Sequence, residues 1–246
     1  MSSSTLHESL KKWISPRYLE SPPFFTEESL EEGAVLDDFF LSERLILIER
    51  FMNEGAQYQD DCVKLVNGNR EVRVNLEEWN SAPKKEKFCF RRIVSGARPG
   101  HENDPGFRAY AELGEFLVSP AFARFLFDMT RMLCRVANMG AVRMDRESLL
   151  AHHADDFPDR MLSLICYLSR GWKTGFGGEL RVSSENGDER LVSPLFGRLV
   201  LLKPASGKSH RVEPILPAAG EWLRFCFVSR GKDPRFKLPP AGATYE

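Results

Sequence analysis

The chain has no surplus of charge, no long apolar run and no closely paired cysteines. Its 246 residues hold 34 basic and 35 acidic side chains, for a formal net charge of -1. Composition therefore gives no general attraction to a polyanion, and binding to nucleic acid or anionic lipid would need a local patch. No apolar stretch approaches the roughly 18 residues of a membrane helix. The opening residues, Met1-Ser2-Ser3-Ser4-Thr5-Leu6-His7-Glu8, lack the basic segment and apolar run of a secretion signal. These absences lead to the expectation of a cytoplasmic protein with no membrane partner. The five cysteines (Cys62, Cys89, Cys134, Cys166, Cys226) are an odd, widely spaced set without a Cys-x-x-Cys pair. Three lie in apolar runs, which favours buried, reduced thiols over disulfides or a zinc site.

What is present suits an ordinary globular protein: 42% hydrophobic and 28% charged residues, enough for one sizeable core. Residues 1–33 are polar, carry Pro16, Pro22 and Pro23, and read as an N-terminal arm with a short helix opened by the capping pair Thr5 and Glu8. Residues 34–246 read as a single domain. Its first part, 34–141, is a helical support. There Ala34 to Phe40 reads as a short strand and turn, and Ser42 caps a helix carrying Leu45, Ile48, Phe51 and Met52 that stops at Gly55. A second helix of about 19 residues starts at Ser119 and Pro120, uses Phe122, Phe125, Leu126, Met129, Leu133 and Val136 as its apolar face, and ends at Gly140. Between them, Val63 to Leu76 alternates like a hairpin around Asn67-Gly68-Asn69, and residues 98–106 form a turn-rich loop placed to rim a site.

From residue 142 the texture changes to short β-type runs broken by Gly, Pro and Asn: Leu162 to Leu168, Gly178 to Ser183, Leu199 to Leu202 and Leu223 to Val228. Short strands at this spacing suggest a barrel or jelly roll with the helices packed outside it. Three of the five histidines fall in this half, at His152, His153 and His210, and Asp155 follows His153 with one residue between. Residues two apart on a strand share a face, so His153 and Asp155 can hold one ion from one side while His210 approaches from another strand. Two histidines and one carboxylate make the facial triad of non-haem iron(II) oxygenases, although the same donors also make a catalytic zinc site. By itself a His-x-Asp pair is a weak signal.

The surroundings carry more. The stretch from His153-Ala154-Asp155 through Leu162-Ser163-Leu164-Ile165-Cys166-Tyr167-Leu168, then Trp172 and Gly177-Gly178-Glu179-Leu180-Arg181, resembles the core of the prolyl-hydroxylase-like branch of the 2-oxoglutarate/Fe(II)-dependent dioxygenase superfamily. Downstream, Gly197 to Leu202, then His210-Arg211-Val212-Glu213-Pro214, and Arg224 opening Arg224-Phe225-Cys226-Phe227-Val228, continue the resemblance over about 80 residues. It implies an α+β, mainly β fold: a double-stranded β-helix (jelly roll) core at 142–230 with packed N-terminal helices. It implies His153, Asp155 and His210 as ligands of Fe(II), and Arg224 with Tyr167 as the holders of the far carboxylate of the cosubstrate 2-oxoglutarate, in a pocket lined by Leu180 and Val212. The activity implied is hydroxylation, with O2, of an unactivated C–H bond in an amino-acid-type substrate, a protein or peptide residue or a small molecule, releasing succinate and CO2, with ascorbate as a stimulant. An arginine suits its role because its planar fork makes two parallel bonds to a carboxylate and stays charged when desolvated.

Several neighbours read otherwise. His152 should point away from His153 and take a surface or supporting role. Asp156 and Asp159 read as loop carboxylates, Gly175-Phe176-Gly177-Gly178 as a tight turn and not a dinucleotide fingerprint, and Arg230, Lys232, Arg235 and Lys237 as a solvated basic tail. Leu149, Leu150 and Ala151 stand where prolyl hydroxylases often carry a tyrosine, a departure in a stretch that helps shape the pocket, which puts the carry-over of the family's substrate in doubt; the carboxylate at Asp155 argues against a halogenase. The competing readings are a nucleic-acid demethylase of the same superfamily, disfavoured by the balanced charge, and a non-catalytic jelly-roll metal-binding scaffold.

Overall fold

The computed structural model describes residues 8–66, 70–155, 160–183, 187–205 and 207–232, and of Asn138 the backbone only. Thr5, the turn Asn67-Gly68-Asn69, Asp156, Asp159, Arg235 and Lys237 lie outside the described residues.

Along the chain come α1 (Pro16–Glu20), α2 (Glu27–Glu31), β1 (Ala34–Leu36), α3 (Ser42–Glu54), β2 (Ala56–Val66), β3 (Arg70–Val74), α4 (Leu76–Ser81), β4 (Lys87–Ala97), α5 (Pro105–Leu117) and α6 (Pro120–Thr130). The second half holds β5 (Arg135–Met144), β6 (Leu149–His153), β7 (Arg160–Tyr167), β8 (Leu180–Ser183), β9 (Glu189–Val192), β10 (Leu199–Leu202), β11 (Ser209–Val212) and β12 (Arg224–Lys232). The strands join in the order β1-β10-β7-β12-β5-β4-β6-β11-β8-β9, with β2 and β3 added at β4. Pairing is antiparallel. The sheet turns over at β4, whose Arg92 and Ile93 pair with β5 while Cys89 and Phe90 pair with β6. Its two halves therefore face each other. Tyr167, Ile165 and Cys226 from one meet Leu180, Val182 and Val212 from the other in one inner cluster. This is the expected jelly-roll architecture.

Alternation explains why β7 and β12 look uniformly apolar. Ser163, Ile165 and Tyr167 face inward, whereas Leu162, Leu164 and Cys166 face outward to the helices. On β12, Cys226 faces inward and Phe225 and Phe227 outward. The outward residues join Leu45, Ile48 and Phe51 of α3, Leu113 of α5 and Phe122 of α6 in the larger core. Trp13, Ile14 and Leu30, from the polar N-terminal segment, are buried in this same core, and Ile14 bridges to Phe40.

Three local expectations need correction. The helix from Ser119 is capped as foreseen, its hydroxyl accepting from the Phe122 N–H at 3.2 Å, but α6 ends at Thr130. Arg131 takes the left-handed conformation at φ 56°, and the Thr130 hydroxyl, which donates to the Leu126 carbonyl, also accepts from the Met132 N–H. Beyond it Met132, Cys134 and Val136 are buried while Leu133 and Arg135 are exposed. That period of two belongs to a strand entering β5, not to a helix reaching Gly140. At α3, Ser42 is the first helical residue, and Leu41, whose N–H donates to the Trp13 carbonyl, stands at the cap position without a side-chain bond. Lastly, α5 was not anticipated, although Asp104 and Pro105 spell its start: the Asp104 carboxylate accepts from the Gly106 N–H at 2.6 Å. The preceding loop is tied to the end of α3, where Arg98 donates to the carbonyls of Gly55 and Ala56.

The α3–α5 contact depends on a missing side chain. A Cβ on Gly106 would lie 2.1 Å from the Leu47 carbonyl oxygen and 2.6 Å from the Phe51 Cβ. Backbone must move to admit it. Gly106→Ala is expected to lower stability by about 1–3 kcal/mol, the usual cost of overpacking, read as an earlier midpoint in chemical denaturation.

Candidate metal centre

His153 closes β6 and His210 lies in β11, and antiparallel pairing sets the two directly opposite each other. Their ring centroids are 4.1 Å apart. Asp155 completes the group, but not by strand alternation as expected: β6 stops at His153, and the chain turns through the left-handed region at Asp155, φ 55°. Aspartate tolerates that conformation better than most residues. The turn brings its carboxylate to 3.6 Å from His153 Nε2 and 3.7 Å from His210 Nε2. One ligand atom from each residue can be chosen so that all three lie within 4.8 Å of one another, a spacing one ion can bridge.

The donors are prepared chemically as well. His153 Nδ1–H donates to the Ala151 carbonyl at 2.9 Å, which leaves the Nε2 lone pair free to face Asp155. The Phe88 ring packs edge-on against His153 at 5.4 Å. Burial and the neighbouring His153 push the His210 pKa well below its ordinary value, so it stays neutral and able to ligate. Burial alone would raise Asp155, but Arg160, His210 and His153 outweigh it, and its carboxyl is held below the usual range. The Ser163 hydroxyl donates to the same carboxylate at 3.0 Å, and Arg160 pairs with it. Neither Arg160 nor Ser163 was singled out from sequence; placing Ser163 on the inner face of β7 by alternation would have found it.

Behind this group lies a second set. Arg224 opens β12 and is 3% exposed; its guanidinium carbon lies 5.0 Å from the centroid of the Tyr167 ring. Its Nη1 meets sulfur only, Met144 Sδ at 3.1 Å and Cys226 Sγ at 3.4 Å. The Arg224 Nε and the Tyr167 hydroxyl, both buried, have no hydrogen-bond partner among the described residues. Burial raises the Tyr167 pKa despite the nearby Arg224, so the phenol remains a donor. A desolvated guanidinium without an oxygen partner is costly, and two unused donors side by side fit a carboxylate. Leu180 and Val212, cross-strand partners in the same inner cluster, supply apolar walls. Gly178, at φ 79°, lets its turn close over Arg224: a Cβ there would lie 3.3 Å from the Arg224 Cδ.

His152, by contrast, is exposed and contacts the hydroxyls of Ser183 at 3.2 Å and Ser209 at 3.3 Å, on the face away from the triad. Residues 175–178 form a turn, with Trp172 Nε1 donating to the Gly177 carbonyl at 2.9 Å. No helix among the described residues is long and apolar enough to cross a membrane.

Comparison with known proteins agrees with this arrangement. The 2OG-Fe(II) oxygenase superfamily profile matches residues 139–228, the span holding the triad, Tyr167 and Arg224. No curated protein matches the chain by sequence. Among solved structures, a prolyl hydroxylase from Trichoplax adhaerens in complex with a hypoxia inducible factor peptide fragment superposes with a TM-score of 0.55 at 13% identity, over 95% of this chain and 94% of that one. An oxidoreductase of the 2OG-Fe(II) oxygenase family from Burkholderia pseudomallei gives 0.51 at 16% identity, over 94% and 92%. HygX from Streptomyces hygroscopicus, with nickel, 2-oxoglutarate and hygromycin B bound, gives 0.51 at 12% identity, over 91% and 89%. These likenesses are of fold. Residues 139–228 are thus similar to the 2OG-Fe(II) oxygenase superfamily, and the chain has the fold of the prolyl-hydroxylase-like oxygenases.

Proposed function

We propose that the protein hydroxylates an unactivated C–H bond of an amino-acid-type substrate, with His153, Asp155 and His210 holding Fe(II) and Arg224 and Tyr167 holding the far carboxylate of 2-oxoglutarate. The observation that carries this reading is the buried Arg224 guanidinium, whose contacts are sulfur atoms and the face of Tyr167, beside an unpartnered phenol. A scaffold that merely bound metal would have no use for that pair.

Iron, 2-oxoglutarate and O2, when bound, would supply the oxidising chemistry for C–H hydroxylation, with succinate and CO2 as coproducts. The chain's own residues bind and orient. The two imidazoles and the Asp155 carboxylate would hold the ion through three donors. Arg224 and Tyr167 fix one end of the cosubstrate through charge-assisted hydrogen bonds, and Leu180 and Val212 exclude water from its length. The substrate is an amino-acid residue of a peptide or a small molecule of that kind; the Trichoplax neighbour was solved with a peptide and HygX with hygromycin B. The five cysteines are free and buried, which supports a reducing compartment such as the cytoplasm.

Purified protein is expected to bind Fe(II), or Mn(II) as a surrogate, and His153→Ala and His210→Ala are each expected to weaken that binding by about 100-fold or more, beyond the loss typical of outer-shell changes. Calorimetry under nitrogen would read it. Equal affinity in all three proteins would remove the triad assignment.

Succinate release with Fe(II), ascorbate and O2 tests the cosubstrate pocket. A hydrogen bond to a charged group contributes about 1.5–3 kcal/mol, so Tyr167→Phe should raise the 2-oxoglutarate requirement by about tenfold or more, and Arg224→Ala further still. If 2-oxoglutarate failed to bind the metal-loaded wild type in calorimetry, the dioxygenase reading would give way to the scaffold.

A further inference from the structure

Arg230 was expected in a solvated tail, but the register of β12 places it elsewhere. It pairs directly with Ser163 across β7, and directly paired residues project from the same face. Ser163 uses that face to donate to Asp155. Arg230 therefore points to the side of the sheet that carries the metal centre, as do Cys226 and Arg224 on the same strand by alternation. It is half-buried and, among the described residues, makes neither an ion pair nor a hydrogen bond.

The neighbouring charges make this position unfavourable unless an anion joins it. Arg160, its side chain 6% exposed, pairs with Asp155. Arg91 and Arg73 share the buried Asp61, at 3.0 and 3.1 Å. Burial, then Arg160, and beyond it Arg91 and Arg73 hold the Arg230 pKa below its ordinary value, Asp155 alone opposing them among the groups involved. Arg230, Arg160 and Arg91 thus gather near Asp155 and the shared Asp61, while Arg73 is largely exposed. A divalent ion at the triad would add further positive charge. Arg230, half-buried and without an ion pair among the described residues, is the least compensated of these arginines.

We propose that Arg230, backed by Arg160 and Arg91, receives a carboxylate of the substrate, so that the molecule oxidised is an anionic, amino-acid-type compound held by its acid group beside the metal. This deepens and rests on the reading of the site given above. It also separates the two arginine stations of β12: Arg224 serves the cosubstrate and Arg230 the substrate. Six residues at about 3.3 Å each put them about 20 Å apart along the strand at the Cα atoms, so one small dicarboxylate does not engage both through extended side chains.

The test uses the full chain loaded with Mn(II) and saturated with 2-oxoglutarate, titrated calorimetrically with each L-amino acid and with its C-terminal amide, a pair that differs by the one charge. At least one acid is expected to bind about tenfold or more tightly than its amide, the worth of a charge-assisted bond. That preference should vanish in Arg230→Gln and return in part in Arg230→Lys, which keeps the charge. Acids and amides binding alike in wild type, or a preference untouched by Arg230→Gln, would overturn the assignment. If 2-oxoglutarate itself does not bind, the cosubstrate reading fails separately, and the same acid-against-amide comparison without it still decides the role of Arg230.

Discussion

The two-residue alternation of β7 and β12 is the constraint on which the rest of the molecule depends. Each strand is sandwiched between the helices and the inner chamber, so every second side chain must be apolar enough to seal against α3, α5 and α6, and the others are released for chemistry. Leu162, Leu164, Phe225 and Phe227 hold the outer layer. That leaves Ser163, Tyr167, Arg224 and Arg230 to line the chamber in fixed order. A register slip of one residue would exchange the two sets, putting a guanidinium into the core and a phenylalanine where Arg224 now stands. Hydrophobic packing against the helices is thus what aims the polar groups.

Much of this was legible in the sequence because short strands with strong alternation, and a histidine and carboxylate ahead of them, leave few other arrangements. β10 runs from Leu199 to Leu202 as read, and the β2–β3 pairing follows the foreseen hairpin. What escaped the reading shares a physical cause. The stretch from Met132 to Val136 satisfies both a helical and a strand period over so few residues, and the decision was taken by Thr130 and the left-handed Arg131, whose side chains give no hydrophobic signal. Trp13 and Ile14 are two buried residues in a polar segment, too few to stand out. Arg230 looked like part of a charged tail because its neighbours are charged; only pairing with Ser163 distinguishes it.

The triad was found for a reason that proved incomplete. The two histidines do sit opposite each other on adjacent strands, as strand geometry demands, but the carboxylate arrives through a turn. Strand residues alone would have fixed all three donors rigidly. With Asp155 at the start of a connection, its carboxylate is located by partners, the Ser163 hydroxyl and Arg160, rather than by the pleat. The site thus combines two side chains set by backbone with one set by a network of side chains.

The double pairing of β4 carries a consequence for how such a fold can change over time. Because its middle residues bond to β5 and its earlier ones to β6, inserting or deleting one residue between those two stretches would invert facing on one half of the roll relative to the other. The length of β4 between those stretches is therefore fixed by geometry.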